Sequence, residues 1–143
     1  MANTYLTKTF SSEGNRAKWT WSGWVKKTLT GSRMHLFTSY YNASNFCTLN
    51  WESDDELNFY DWNGGATNGQ RHLSIKMRDT NAWYHIVATF DSGNSTTEDK
   101  MKVWINGTRQ TAFQANSAPS GDSRMNHTIP LYIGAYDTSN YFF

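Results

Sequence analysis

Apolar residues recur at every second position along much of this chain, and this alternation constrains the fold more than any other feature. Side chains two residues apart point to the same face of a β-strand, whereas a helix needs spacings of three and four, which are nowhere sustained. In the clearest segment, KMKVWINGTRQ, the residues Met101, Val103 and Ile105 alternate with polar or aromatic neighbours. The Asn106-Gly107 pair that follows favours a tight turn, so this segment is typical of a β-hairpin.

The same alternation predicts a chain of short strands joined by polar turns. Long loops rich in Gly, Asn and Ser separate several of them, and neither a helix nor a second domain is predicted. The predicted strands cover residues 4 to 10, 18 to 27, 33 to 41, 45 to 51, 56 to 62, 71 to 78, 82 to 90, 100 to 106, 109 to 113 and 128 to 136.

A single antiparallel sheet would leave one apolar face in water, so these strands must form two packed sheets. We therefore predict an all-β fold, a two-sheet antiparallel β-sandwich of the jelly-roll type, in one domain over residues 1–143. The single cysteine, Cys47, excludes an internal disulfide bond. Packing alone must then stabilise the fold.

Strand alternation also predicts which side chains face the core. In WTWSGWVKK, Trp19, Trp21 and Val25 fall on one face and are predicted to pack between the sheets, whereas Trp24 points outward and could meet a ligand. In RHLSIKMRD, alternation places Ile75 on the buried face together with two other apolar residues. The segment WYHIVATFD is apolar on both faces and predicts a central strand.

Four segments occur in an order that resembles a known family: WTWSGWVKK, AWYHIVATFD, MKVWINGTRQTAF and LYIGAYDTSNYFF. They are similar to the laminin-G-like branch of the concanavalin A-like lectin/glucanase superfamily, especially to versions in marine phage structural proteins. The resemblance covers nearly the whole chain. It implies a jelly-roll sandwich and a non-catalytic module, extracellular or virion-associated, that binds glycans or proteins. The superfamily also contains enzymes and purely structural domains, so both remain alternatives.

The end of the chain departs from the pattern of these similar proteins. In them, a Tyr-Phe pair near the end leads into a further strand beside the N-terminal strand, whereas this chain ends at Phe143. The resemblance thus implies that the closing strand is missing. We expect the open edge to be filled by another copy in a homo-oligomer, by strand exchange, or by unusual pairing of the two end segments.

Charge and hydropathy exclude several partners. The 13 basic and 12 acidic side chains are spread along the chain, so no basic surface for nucleic acid is predicted. No apolar run approaches the ~20 residues that cross a bilayer, and the first residues do not resemble a signal peptide. We expect no membrane insertion.

Aromatic residues next to amides and carboxylates are typical of glycan sites, where a ring stacks on a sugar and polar groups bind its hydroxyls. The segments SYYNASN and NFYDWNGG have this composition. Packing against the core is the alternative for each ring. The predicted ligand-binding residues are Trp24, Tyr40, Tyr41, Tyr60, Asp61, Trp62 and Asn63.

The segment WESDDEL offers one catalytic alternative. Glu52, Asp54 and Glu56 have the Glu-x-Asp-x-Glu spacing of laminarinase-type glycoside hydrolases, and on a strand they would point into one cleft. Ser53 and Asp55 stand where the enzymes usually have apolar residues. Because Ser-Asp-Asp is also good turn chemistry, we favour a hairpin loop and predict no enzymatic activity.

No metal site or cofactor is predicted. The four histidines, His35, His72, His85 and His127, are widely separated, and no EF-hand spacing occurs. Loop aspartates leave a Ca²⁺ site as an alternative, namely Asp54, Asp55, Asp91, Asp99 and Asp122.

Overall fold

The computed structural model describes residues 4–138, which form eleven strands in two antiparallel sheets. This confirms the predicted all-β sandwich. Within residues 4–138, no helix is long and apolar enough to cross a membrane. In chain order the strands are β1 (Leu6–Thr9), β2 (Lys18–Val25), β3 (Met34–Asn42), β4 (Asn45–Trp51), β5 (Glu56–Asn63), β6 (Ala66–Lys76), β7 (Tyr84–Asp91), β8 (Met101–Ile105), β9 (Thr108–Arg109), β10 (Phe113–Ser117) and β11 (Pro130–Ile133).

The larger sheet has the order β1-β11-β3-β4-β5-β6-β10, and the smaller sheet has the order β2-β7-β8-β9. The first and last strands pair with each other, with Leu6 opposite Ile133. Such pairing of the end segments is one of the three ways in which we expected the edge to be filled. The segment after Thr138, on which the predicted truncation depends, lies outside the described residues.

Aromatic rings from both sheets form the centre of the core. Trp19 stacks on Phe90 within the smaller sheet at 5.7 Å between ring centroids. Its other neighbours are Phe37 and Phe59 of the larger sheet, both in edge contact. Trp19 is 8% exposed and Trp24 is 65% exposed, so the predicted orientation of this strand is confirmed.

The central position predicted for WYHIVATFD is also confirmed, because β7 lies between β2 and β8. The strand predicted at residues 109 to 113 is instead two short strands, β9 and β10, in different sheets. A 3-10 helix, Thr97–Asp99, lies in a predicted loop. The inward orientation predicted for Ile75 is wrong, because the register of β6 against β5 shifts between His72 and Lys76 and leaves Ile75 47% exposed.

Candidate functional site

A groove lies on the outward face of the larger sheet, opposite the core. Phe37, Leu49 and Phe59 point inward, so strand alternation turns their neighbours, among them Thr48 and Tyr60, to the other face. The cavity there has a volume of about 340 Å³. It is lined by Arg33, His35, Phe46, Thr48, Asn50, Glu52, Asn58, Tyr60 and Tyr136.

Aromatic rings form one part of this groove and its border. The ring of Phe46 lies 5.7 Å from that of Tyr60, and Tyr60 lies 5.5 Å from Trp62. Tyr136, which follows β11, lies over the sheet with its ring 5.5 Å from Phe46 and 4.9 Å from Tyr40. Adjacent rings of this kind provide flat apolar surfaces at fixed positions.

The other part of the groove is polar, and its centre is Glu52, the first residue after β4. One carboxylate oxygen accepts hydrogen bonds from the amides of Asn50 and Asn58, at 2.9 and 3.1 Å. The other accepts from Arg33 Nε at 2.6 Å. Burial alone would raise the pKa of Glu52, but the two amides and the Arg33 charge outweigh it and lower the pKa below its usual value. Glu52 is therefore an ionised hydrogen-bond acceptor at neutral pH.

His35 lies on the same face and is neutral at physiological pH. Burial lowers its pKa from 6.5 to about 3, although the charge of Glu52 acts in the opposite direction. Its Nδ1 lies 2.7 Å from the Thr48 hydroxyl, which also donates to the Phe37 carbonyl oxygen at 3.0 Å. These contacts fix the imidazole at the bottom of the groove.

The segment WESDDEL forms the hairpin turn between β4 and β5 rather than a strand. Glu52 and Glu56 pair through their backbones across the turn, with the Glu52 N–H donating to the Glu56 carbonyl at 2.9 Å. Asp54 lies in the turn and is exposed, and Glu56 begins β5. The alternative in which all three carboxylates lie on one strand is therefore wrong. Ser and Asp residues favour turns, in which their side chains bond to nearby backbone groups, over an extended strand; here Asp54 Oδ1 accepts from the Glu56 N–H.

Asp55, also in this turn, has a structural role. It is buried, and its carboxylate pairs with the fully buried Lys27 and accepts from Arg78 Nε at 3.0 Å. Burial would raise its pKa, but hydrogen bonds from Lys27, the Gly31 N–H and Arg78 outweigh this and lower the pKa to about 2. This ion pair joins the hairpin to the loop after β2.

The structure brings some of the predicted ligand-binding residues together and separates others. Tyr60 lines the groove, and Tyr40 and Trp62 lie beside it. Tyr41 is 65% exposed but is not among the lining residues. Asn63 bonds to the Arg124 guanidinium at the end of β5.

Asp61 does not fit the ligand-binding role predicted for it. It is completely buried, and it accepts hydrogen bonds from the Ser123 hydroxyl, the Asn68 amide and the Arg124 N–H. Burial raises its pKa in spite of these donors. The side chain points into the sandwich, because neighbouring residues of β5 alternate between the two faces.

Trp24 lies on the outer face of the smaller sheet, far along the sequence from the other predicted residues. Its ring stacks on His85 at 5.0 Å, and His85 Nε2 lies 3.0 Å from the Ser22 hydroxyl. Trp24, Trp83, His85 and Asn106 line a shallow second groove there. The two indoles are 65% and 59% exposed.

Strand alternation marks further groove residues in the sequence. In NFCTLNW, Phe46, Thr48 and Asn50 share one face of β4, and all three line the groove. Asn58 lies on the matching face of β5, opposite Asn50. Alternation could not place Tyr136, because the strand predicted over residues 128 to 136 ends at Ile133 in the structure.

One cluster of metal-ligand side chains occurs within residues 4–138. Asp54, Glu56 and His72 each offer one ligand atom, and these atoms lie within 4.8 Å of one another. The remaining aspartates that we considered for Ca²⁺ do not belong to a cluster of this kind in the described part of the chain.

The sequence profile of the concanavalin A-like lectin/glucanases superfamily, in its laminin G form, matches residues 2–143. The chain belongs to this family. Among solved structures it is similar to domains LG4-5 of the mouse laminin α1 chain, with 13% identity and a TM-score of 0.59 over 96% of this chain and 33% of that one. It is also similar to the native heptameric SAP-like pentraxin of Limulus polyphemus, with 14% identity and a TM-score of 0.55 over 97% of this chain and 62% of that one.

Because both identities are low, these similarities show the fold alone. The chain spans about one third of the laminin structure and less than two thirds of the pentraxin. No curated protein sequence matches it.

Proposed function

We propose that this domain is a non-catalytic module that binds glycans in the groove on the outward face of the larger sheet. The observation that carries the proposal is the combination of an aromatic part and a polar part in one cavity. Phe46, Tyr60 and Tyr136 supply flat rings, while Asn50, Asn58 and the ionised Glu52 supply hydrogen-bonding groups. This pairing matches the apolar ring face and the hydroxyl rim of a sugar.

The polar part is preorganised for such a ligand. Glu52 is held by three hydrogen-bond donors, and Asn58 Oδ1 accepts from the Gln70 amide at 3.1 Å. A ligand would therefore not have to order these side chains on binding, which reduces the entropic cost. Shape, stacking and hydrogen bonding would provide the affinity, and no bond would be made or broken.

A glycan array followed by titration of the best binder tests the proposal. Tyr60→Ala removes a ring from the groove, and we expect it to weaken binding about fivefold or more, because an aromatic contact is worth about 1 kcal/mol beyond its area. Tyr41→Ala is the matched control, since it removes an equally large ring outside the groove. An array without binders, or equal affinities for both variants, would contradict the proposal.

The geometry of the hairpin argues against the glycoside hydrolase alternative. Asp54 is exposed in the turn, and Glu52 and Glu56 pair through their backbones across it, so the three carboxylates do not point into one cleft from a single strand. We expect no reducing ends to appear when the chain is incubated with β-glucans. Release of reducing ends by the wild type, and its loss in Glu52→Gln, would establish the enzyme instead.

We also propose that the module is displayed outside the cell or on a virion.

We further propose that a second copy of the chain covers the free edge of β2. Among the described strands, β2 pairs only with β7. The apolar cleft beside β2 is lined by Trp21, Val25, Leu36 and Ile133, among others. Light scattering should show an oligomer that Ile133→Lys dissociates. Ile75→Lys is the control, since Ile75 is equally exposed elsewhere. A monomeric wild type would exclude this contact, and a stable oligomer with an empty glycan array would favour a structural domain.

A further inference from the structure

The cluster of Asp54, Glu56 and His72 lies on the outward face of the larger sheet, next to the polar part of the groove. Glu56 is at the start of β5, and His72 is on β6 directly opposite Asn58, which lines the groove. His72 Nε2 is 3.4 Å from Glu56 Oε2 and 3.9 Å from Asp54 Oδ2. One nitrogen and two carboxylate oxygens from different side chains thus lie within 4.8 Å of one another.

The histidine nitrogen in this cluster is buried and makes no hydrogen bond. Its 3.4 Å separation from Glu56 Oε2 is long for a hydrogen bond between a nitrogen and an oxygen. It is close to the distance between two ligands of one tetrahedral Zn²⁺ ion, roughly 3.3 Å for metal–ligand bonds of about 2.0 to 2.1 Å. A metal ion would give this buried nitrogen a partner.

The other atoms of the two carboxylates already have partners that orient them. Lys76 Nζ lies 3.3 Å from Glu56 Oε1, the oxygen on the side away from the 3.4 Å contact. The Glu56 N–H donates to Asp54 Oδ1 at 3.0 Å, which leaves Asp54 Oδ2 facing the histidine. Each of the two carboxylates therefore has one oxygen held by the protein and one oxygen directed toward His72, as expected for ligands positioned by an outer shell.

We propose that Asp54 Oδ2, Glu56 Oε2 and His72 Nε2 bind a Zn²⁺ ion, with the fourth position open to solvent or to a ligand oxygen. A single nitrogen together with two carboxylates suits zinc, whereas Ca²⁺ requires six to eight oxygen ligands. Spacing along the chain did not indicate this site, because the three ligands are separated by up to eighteen positions. The β5–β6 pairing brings them together. A role for the open position in glycan binding would rest on the proposed function, but the metal site itself does not.

Calorimetric titration of the chelator-treated chain with Zn²⁺ alone tests this proposal. We expect one ion per chain, a higher melting temperature with zinc, and no displacement by excess Ca²⁺. His72→Ala should weaken zinc binding more than about 100-fold, since the loss of an outer-shell contact alone costs about 10- to 100-fold. Asp54→Asn, an exposed and conservative change, should weaken it at least about tenfold.

His127→Ala is the matched control, because His127 Nε2 also lies close to a carboxylate, 3.1 Å from Glu13 Oε1, but has no third ligand. This variant should bind zinc as the wild type does. The proposal is overturned if the wild type shows no saturable zinc binding, if Ca²⁺ displaces the ion, or if His127→Ala weakens binding as much as His72→Ala. If circular dichroism shows that His72→Ala does not fold, unchanged affinity in Asp54→Asn overturns it. No glycan is present in these titrations, so their outcome is independent of the proposed function.

Discussion

The buried ion pair between Lys27 and Asp55 allows a quantitative test of how the hairpin turn is held in the fold. Both side chains are almost completely excluded from water, and the Lys27 ammonium also lies 5.7 Å from the centre of the Trp51 ring. Asp55 further accepts from the Gly31 N–H at 2.7 Å and from Arg78 Nε at 3.0 Å. Three segments of the chain therefore meet at one carboxylate.

Asp55→Asn removes the negative charge while it keeps the shape of the side chain. Asparagine also tolerates the positive φ of 72° at this position better than most residues do. The substitution leaves Lys27 buried without a counter-ion, and removal of one partner from a buried pair costs about 3–5 kcal/mol. With an m-value of about 2 kcal/mol/M, the midpoint of urea unfolding should fall by roughly 2 M.

In zinc-free buffer, Asp54→Asn is the control in the same turn, because Asp54 is exposed and its substitution should change the midpoint little. The double variant Lys27→Met with Asp55→Asn removes both charges and should recover about 1 kcal/mol or more relative to Asp55→Asn alone. If Asp55→Asn unfolds at the same urea concentration as Asp54→Asn, the buried ion pair does not stabilise the hairpin as proposed.

Two further predictions concern the core and its response to pH. His35 has a pKa of about 3 in the folded protein and of 6.5 when it is exposed in the unfolded chain. The unfolded chain therefore binds the proton first as the pH falls, so the stabilisation by neutral His35 is fully present above pH 6.5. Between pH 6.5 and about 3 the free energy of unfolding should fall by about 1.4 kcal/mol per pH unit. Urea unfolding at several pH values should show this slope, and His35→Gln should reduce it; an unchanged slope would exclude His35 as the cause. Trp19→Ala should cost about 3–5 kcal/mol in the same assay, whereas the exposed Trp24→Ala should cost less than about 1 kcal/mol, and equal losses would contradict the assigned strand orientation.

The fold could be predicted from the sequence wherever one face of a strand is clearly apolar. Trp19 and Trp24 are five positions apart, and because five is an odd number, a period of two turns their side chains to opposite faces. Ile75 was predicted wrongly because a change of register between β5 and β6 depends on the pairing of two strands. Nothing in RHLSIKMRD alone marks this shift.

The candidate site was only partly predictable for a related reason. Tyr60 was identified because an aromatic residue close to amides and carboxylates is a local sequence pattern. Asp61 was identified from the same segment, but its side chain lies in the core. The burial of Asp61 depends on Asn68 and Ser123, which come from other parts of the chain. Likewise, the proximity of His72 to Glu56 is a product of strand pairing and not of spacing along the chain.

The central claim is that the outward face of the larger sheet binds a glycan, and backbone amide chemical shifts measured during titration with the best array binder test it most directly. We expect shift changes in β3, β4 and β5 around Thr48, Asn50 and Asn58, with little change in the smaller sheet. Changes centred on Trp24 and Trp83 instead would place binding on the opposite face and contradict the proposed glycan site.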